Sequence, residues 1–499
     1  MRPFRRRVAR NTAAVGIANA WAIGVALIAL PLQLRGLGPV AFGTWVLLQT
    51  FSSVNGWLSL ADAGVGTATT RAVAGAAAVD DSKKVAQVVD TAMALFVAMA
   101  VAAAALLALV GPALLPALFR TPVSLLAALR MAIPLFAVQV GLDFLTQGLQ
   151  AMLEGFQRVD LSRSVDATRR TAVAVITSVV ALRGGGLAGV VGASAVASGA
   201  GTVLGAVLVY RVAPRILLRP DPREARALLS YGSAVAILST TGVVVRTMDR
   251  LIVGVVLGPG PVSLVEIATQ VINGASAVLG ACSYSVTPAV AWVKAQGNLS
   301  ALRELVLRGT KYTLLITVPV IVGAMALAAP VTRIWVGERF SGAVMPMEIG
   351  LVALLLAAPM QVGSNLLQGV GKVRTMLVPV VGGHAVNLVV SIVLVQFVGV
   401  AGVFIGTLVG TAIYIVPLSR TALTESGVAV RPFFEAAIRP VVIPALALGL
   451  VAAAATLLPV PDIARVAAAI VISGLVYILL AWRLAVRPAE LSDLRAMVR

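Results

Sequence analysis

Cysteine and histidine each occur once in the 499 residues, at Cys282 and His384. A single thiol excludes an intrachain disulfide, and one residue of each type excludes a His/Cys metal cluster. Catalytic patterns are missing as well. The GVGKV stretch at 369–373 lacks the spacing and the Ser/Thr of a phosphate-binding loop, and there is no Ser/His/Asp set or two-His metal motif. No enzyme, no metal and no cofactor are expected. Acidic residues number 20 against 39 Lys and Arg, and aromatics are only 5%. An organic-cation site, which needs carboxylates or aromatic faces, has little to be built from.

Charge of either sign is confined to 12% of residues, whereas 59% are hydrophobic and the mean hydropathy is +0.99. A soluble core of this size could not hide so much apolar surface, so the chain reads as an all-α integral membrane protein. Runs long enough to span a bilayer fall near 11–34, 40–60, 86–112, 127–151, 165–182, 187–210, 232–257, 262–290, 311–332, 346–368, 375–396, 400–419, 438–458 and 463–482, about 14 transmembrane helices. The start, MRPFRRRVAR, places five arginines before the first run, which continues too far for a cleaved leader. With both termini cytoplasmic, 30 of the 39 Lys and Arg fall in cytoplasmic segments, 7 in external ones and 2 in the membrane. Arg158, Arg163, Arg169 and Arg170 are counted on the cytoplasmic side. The net charge of +19 is thus explained by topology and by attraction to membrane lipids, not by nucleic acid.

Internal similarity groups the spans. LEGFQRV at 153–159 returns as LQGVGKV at 367–373, LAGVVG at 187–192 as VAGVFIG at 400–406, and LGP at 37–39 again at 257–259. The order and near-constant offset imply parallel repeats of a six-helix unit. The expected organisation is a first lobe at 1–212, a cytoplasmic linker at 213–230, a second lobe at 231–422, and two additional helices with a cytoplasmic tail at 423–499. Such repeats place a substrate site between the halves.

Polar residues inside the spans mark candidate sites. Within STTGVVVRTMDRLIVGVVLG at 239–258, Arg246, Asp249 and Arg250 share one helix face. A charged side chain at mid-bilayer costs roughly 2.5–3.5 kcal/mol on the mildest scale, so this face needs partners, water or a ligand. Either Asp249 pairs with one arginine and pins helices, or the face lines a cationic cavity for something anionic. Gln139, Asp143, Gln147, Gln150 and Glu154 form a second stripe at helical spacing, and Gln361, Asn365 and Gln368 form its counterpart in the second half. Each glutamine could be interhelical glue, while the stripe together reads as the wall of a water-filled cavity. Glu266 and Gln270 make a shorter stripe, and His384 is either a cation facing phosphate, a proton-coupling group or a buried histidine bonded to a neighbour.

Two stretches carry a family resemblance. LGPVAFGTWVLLQTFSSVNGWLSLADAGVGTATTRAVA at 37–74 resembles the first signature of the polysaccharide-type, Wzx-like oligosaccharide flippases, and MDRLIVGVVLGPGPVSLVEIATQVIN at 248–273 is similar to their second. These belong to the multidrug/oligosaccharidyl-lipid/polysaccharide exporter superfamily. The resemblance implies two six-helix bundles around a V-shaped cavity plus two extra helices. It also implies alternating-access flipping of an undecaprenyl-pyrophosphate-linked oligosaccharide across the bacterial plasma membrane, coupled to a proton or sodium gradient or to the fate of the product. Polysaccharide assembly proteins would be partners. On that basis Arg246 and Arg250 suit the pyrophosphate, because guanidinium binds phosphate as a fork, and the amide side chains suit sugar hydroxyls. A multidrug cation antiporter of the same superfamily and a non-transporting scaffold for cell-wall assembly are the alternatives.

Overall fold

In the computed structural model the backbone is described for residues 2–485 apart from 63, 213–215 and 284–285, and side chains from Trp21 onward except also at 234–242, 245–246 and 288. Among the described residues there is no strand. In chain order the helices are α1 (Arg2–Gln49), α2 (Val65–Ala78), α3 (Ser82–Leu118), α4 (Val123–Gly155), α5 (Val159–Leu182), α6 (Gly186–Tyr210), α7 (Pro222–Leu257), α8 (Pro259–Ser283) and α9 (Val286–Ala295). They continue with α10 (Leu299–Ala326), α11 (Ala328–Trp335), α12 (Val344–Ala357), α13 (Gln361–Gly369), α14 (Arg374–Val398), α15 (Ala401–Ser426), α16 (Val430–Phe433), α17 (Arg439–Ala455) and α18 (Asp462–Leu484).

Eleven of the described helical stretches are long and apolar enough to cross a membrane. Three further stretches match the remaining expected spans. These are α5, α7, and an interrupted crossing that starts in the last part of α1. Gly38 bends α1 with φ 73 and ψ 167; the crossing then breaks after Gln49 and resumes in the 3-10 turn Trp57–Asp62 and in α2. With these three the count is fourteen. The expected continuous span at 40–60 is therefore replaced by a broken one. Its break uses the carbonyl of Thr50, which accepts from Trp57 N at 2.8 Å, so the freed backbone groups are satisfied within the protein as a bilayer demands.

The chain forms two compact units, Met1–Glu266 and Ile267–Arg499. The division falls inside α8, later than the connection at 213–230, because α7 packs on α2 and α3 of the first unit. Three contacts fix α7 there. Gly64 approaches Gly232 so closely that a Cβ would lie 2.3 Å from the Gly232 carbonyl oxygen. The Arg71 guanidinium stacks 4.5 Å from the centre of the Tyr231 ring, and Lys84 pairs with Glu224. The expected linker is itself short, since α7 already starts at Pro222, capped by Asp221, whose carboxylate accepts from Arg223 N at 2.7 Å. Asp90 and Thr91 of α3 hold the preceding strap, accepting from Leu217 N at 2.6 Å and Asp221 N at 2.9 Å.

The repeated segments have a backbone counterpart. Gly38 and Gly258 both adopt positive φ directly before a proline that opens the next helical segment. Asp80 matches Gly297, Arg120 matches Gly337, Gln157 matches Gly371, and Gly186 matches Gly399, all at positive φ, with an offset falling smoothly from 220 to 213. These five pairs account for ten of the fourteen positive-φ positions described. Left-handed residues mark where a chain reverses or kinks, so the two halves turn at the same places in the same order.

Candidate functional site

The orientation of α4 follows from its glycines. A Cβ at Gly148 would lie 2.6 Å from Phe96 of α3, and one at Gly155 would lie 2.7 Å from Val73 of α2. Small residues let helices meet closely where lipid offers no hydrophobic drive. With that face committed to α2 and α3, the polar stripe of α4 turns toward α5, α6 and the broken second crossing.

Gln139 and Asp143 are fully buried there. Asp143 receives Arg169 Nη1 of α5 at 3.1 Å and Ser198 Oγ of α6 at 2.9 Å, while Gln139 Nε2 lies 3.5 Å from its other oxygen. Gln147, half-buried, donates to the carbonyls of Ser53 at 3.2 Å and Asp143 at 3.3 Å. Gln150 donates to Ser162 O at 3.4 Å, and Glu154 accepts from Ser162 Oγ at 2.9 Å and pairs with Arg163 at 3.4 Å. At its deep end the stripe is thus a hydrogen-bonded joint between helices, and toward Gln147, Gln150 and Glu154 it becomes partly accessible.

Arg169 and Arg170 fall within the expected span at 165–182, and the helix takes in Arg163 as well. They sit on α5, which starts at Val159 and so takes in residues read as connection. Arg169 is buried because the antiparallel hairpin of α4 and α5 brings it level with Asp143: the two lie ten and twelve residues from the turn, about 15 and 18 Å along helices that rise 1.5 Å per residue. That equal spacing is the signal by which a sequence reading could have paired them.

A second charged group joins α7 to α8. Arg250 Nη2 meets Glu266 Oε2 at 2.8 Å, with the side chains 22% and 18% exposed. Close packing positions both. A Cβ at Gly254 would lie 2.4 Å from Leu47, and one at Gly43 would overlap the carbonyl oxygen of Pro259, so α1 lies against the end of α7 and the start of α8. Arg250 Nε is buried without a hydrogen-bond partner. Asp249 forms no ion pair with a described residue; Glu266 is the carboxylate that orients Arg250. The side chain of Arg246 lies outside the described residues.

In the second unit, Asn365 is buried and donates to Ser283 O at 2.8 Å, tying α13 to α8. Gln270 and Gln361 are half-buried, and Gln368 is exposed. His384 packs against Tyr414 with ring centres 5.7 Å apart, on a helix whose Gly383 touches the Gly410 backbone of α15. Among the described residues no group of three or more His, Cys, Asp or Glu is arranged to hold a metal.

This helical membrane architecture is that of known transporters. It is similar to the structure of lipid II flippase MurJ in its inward closed conformation, with a TM-score of 0.73 at 13% identity, covering 98% of this chain and 100% of that one. A multidrug resistance MATE family transporter of the MOP superfamily, inward-facing, gives 0.65 at 15% identity over 83% and 95%. A MOP superfamily transporter from Pyrococcus furiosus, whose binding pocket is described as of reverse polarity, gives 0.55 at 15% over 84% and 96%. The chain is thus a multi-pass membrane protein of the MurJ and MATE fold. The family model described as polysaccharide biosynthesis protein matches residues 35–345, and the chain belongs to that family. No curated protein matches the sequence significantly.

Proposed function

We propose that the protein is a flippase that moves an undecaprenyl-pyrophosphate-linked oligosaccharide across the bacterial plasma membrane for cell-surface polysaccharide assembly. Membership of the polysaccharide biosynthesis family supports this reading, as does a fold shared over 98% of the chain with a lipid II flippase. The multidrug transporter covers 83%, leaving a remainder of the size of residues 423–499. Two six-helix lobes, 1–212 and 231–422, with two added helices complete the proposed organisation.

The observation that carries the reading is the Arg250–Glu266 pair, an intramembrane ion pair that is partly open and incompletely hydrogen-bonded. A buried charge needs an answering charge at all times. Glu266 answers Arg250 while the site is empty, and a pyrophosphate, which the guanidinium can hold as a fork, displaces it on binding. By sequence spacing Arg246 and Asp249 share a helical face with Arg250 and complete the proposed anion site, and Gln147, Gln150, Gln270 and Gln361 serve sugar hydroxyls. Asp143 and Gln139 have a supporting role, since their hydrogen-bonding capacity is committed within the first unit.

Cells depleted of the protein should accumulate lipid-linked oligosaccharide on the cytoplasmic leaflet without becoming sensitive to cationic drugs. Drug sensitivity without accumulation would instead favour multidrug export. Gln147→Leu, Gln150→Leu and Gln361→Leu should each lower glycan export at unchanged protein level; normal export by all three would reduce them to packing. The proposed topology has its own test. In a Cys282→Ala background, Asp160→Cys and Pro220→Cys should resist an impermeant maleimide in intact cells, while Arg120→Cys should react. The reverse labelling would invert the orientation.

A further inference from the structure

Glu348 is the one ionisable residue of α12, and it makes no hydrogen bond or ion pair with a described residue. An ionisable group inside a membrane span asks for a function. Glu348 lines a groove of about 480 Å³ within the second unit, whose other walls are apolar residues of α10, α12, α15 and α17. One wall is closely built: a Cβ at Gly449 of α17 would lie 3.1 Å from Val322 of α10. The groove sits at one end of these helices. Ala326 is the last residue of α10, Ala453 is two residues from the end of α17, and Glu348 is four residues into α12. Leu408 lies deeper, seven residues into α15 or about 10 Å along its axis. The carboxylate thus stands near the membrane surface, and the apolar wall runs inward from it.

We infer that this groove binds an aminophospholipid, whose primary ammonium meets Glu348 while an acyl chain lies along the apolar wall toward Val352 and Leu408. Charge complementarity selects the occupant. A carboxylate is an acceptor only, and an ammonium brings both donors and the opposite charge. A choline headgroup has the charge without the donors, and an anionic lipid with a glycerol headgroup brings a like charge. A bare metal cation would want several oxygen ligands, whereas Glu348 is the only lining residue whose side chain carries oxygen. The volume lies within the range of small-ligand sites, enough for the headgroup and the first methylenes, with the rest of the chain in the bilayer. On the proposed topology the groove faces the outer leaflet. It uses neither Arg250 nor Glu266, so it stands independently of the proposed flippase cycle.

Native mass spectrometry of the full chain, purified in neutral detergent, tests this with dioleoyl phosphatidylethanolamine, dioleoyl phosphatidylcholine, dioleoyl phosphatidylglycerol and free ethanolamine as probes. The ethanolamine lipid should be retained about tenfold more tightly than the choline lipid, the scale of one charge-assisted hydrogen bond. Glu348→Gln should bring the two lipids level. Glu338→Gln, which removes a carboxylate that is 78% exposed outside the groove, should change nothing. Ala453→Trp keeps every charge and fills the groove from an exposed position, so it should also release the lipid and decides the matter where the Glu348 variant fails to fold. Equal retention of the ethanolamine and choline lipids by the wild type, or tighter retention of the glycerol lipid, would overturn the proposal. So would a preference that survives in Glu348→Gln or unchanged retention in Ala453→Trp. Complete displacement by free ethanolamine at equal concentration would also overturn it, in favour of a small-amine site.

Discussion

Asp143→Ala should destabilise the protein by up to about 3–5 kcal/mol, the range for breaking a buried ion pair, since Arg169 keeps only the longer contact to Asp166 at 3.7 Å. Asp143 is 1% and Arg169 11% exposed, so water cannot replace the lost partner. Ser198 and Gln139 would lose their acceptor with it. Arg169→Met alone should be nearly as damaging, because the carboxylate then stays buried beside weaker donors. The double variant Asp143→Leu/Arg169→Met should recover most of the loss, since an apolar pair of similar volume removes both desolvation costs. Thermal unfolding of the purified variants in detergent reads all three. If Asp143→Ala costs less than about 1 kcal/mol, the pair is hydrated, and the stripe is a watery wall along its whole length.

Arg250→Gln should abolish export of the lipid-linked glycan, and Arg250→Lys should damage it severely despite equal charge, because an ammonium loses the fork that holds a pyrophosphate. The informative partner is Glu266→Gln. If Glu266 only holds helices together, its loss should lower stability and transport alike. If it competes with the substrate for Arg250, the neutral variant should bind the pyrophosphate carrier more tightly than the wild type while turning over more slowly, because the return exchange is lost. Binding of a labelled lipid-linked oligosaccharide to protein in nanodiscs, set beside glycan export in cells, separates these outcomes. Weaker binding by Glu266→Gln would decide against exchange. Full export by Arg250→Gln would remove Arg250 from the substrate site.

The class of fold was legible because hydropathy over windows of a bilayer's thickness is a property of the chain itself. Fourteen crossings follow from it, including α5, although Asp166, Arg169 and Arg170 lie within it. What was not legible was which face meets which helix. The stripe on α4 was visible from spacing, yet its commitment to Arg169 depends on α5 starting at Val159 and lying antiparallel beside it. Likewise Asp249 is next to Arg250 in sequence, but successive residues point about 100° apart on a helix, whereas Glu266 reaches it across the α7–α8 turn. The broken second crossing was missed for another reason. Residues 50–56, with Thr50, Ser52, Ser53 and Asn55, are more polar than their neighbours, but a window of bilayer length averages over so short a stretch, and the break is made by backbone hydrogen bonds that hydropathy does not register.

The five matched positive-φ positions bear on how such a fold is inherited. At Gln157 and Gly371, or at Asp80 and Gly297, the backbone conformation is the same although the residue is not. An ancestral duplication explains the match, and it shows which part of the information survives divergence. Apolar residues inside a span can exchange for one another with little consequence in lipid, so the text of the helices drifts freely. A turn that arrives one residue early would rotate the next helix by about 100° and misplace every contact on it. Selection therefore acts on the timing of the turns more than on the wording between them, which is how a chain only 13% identical to a flippase of known structure can follow its path from end to end.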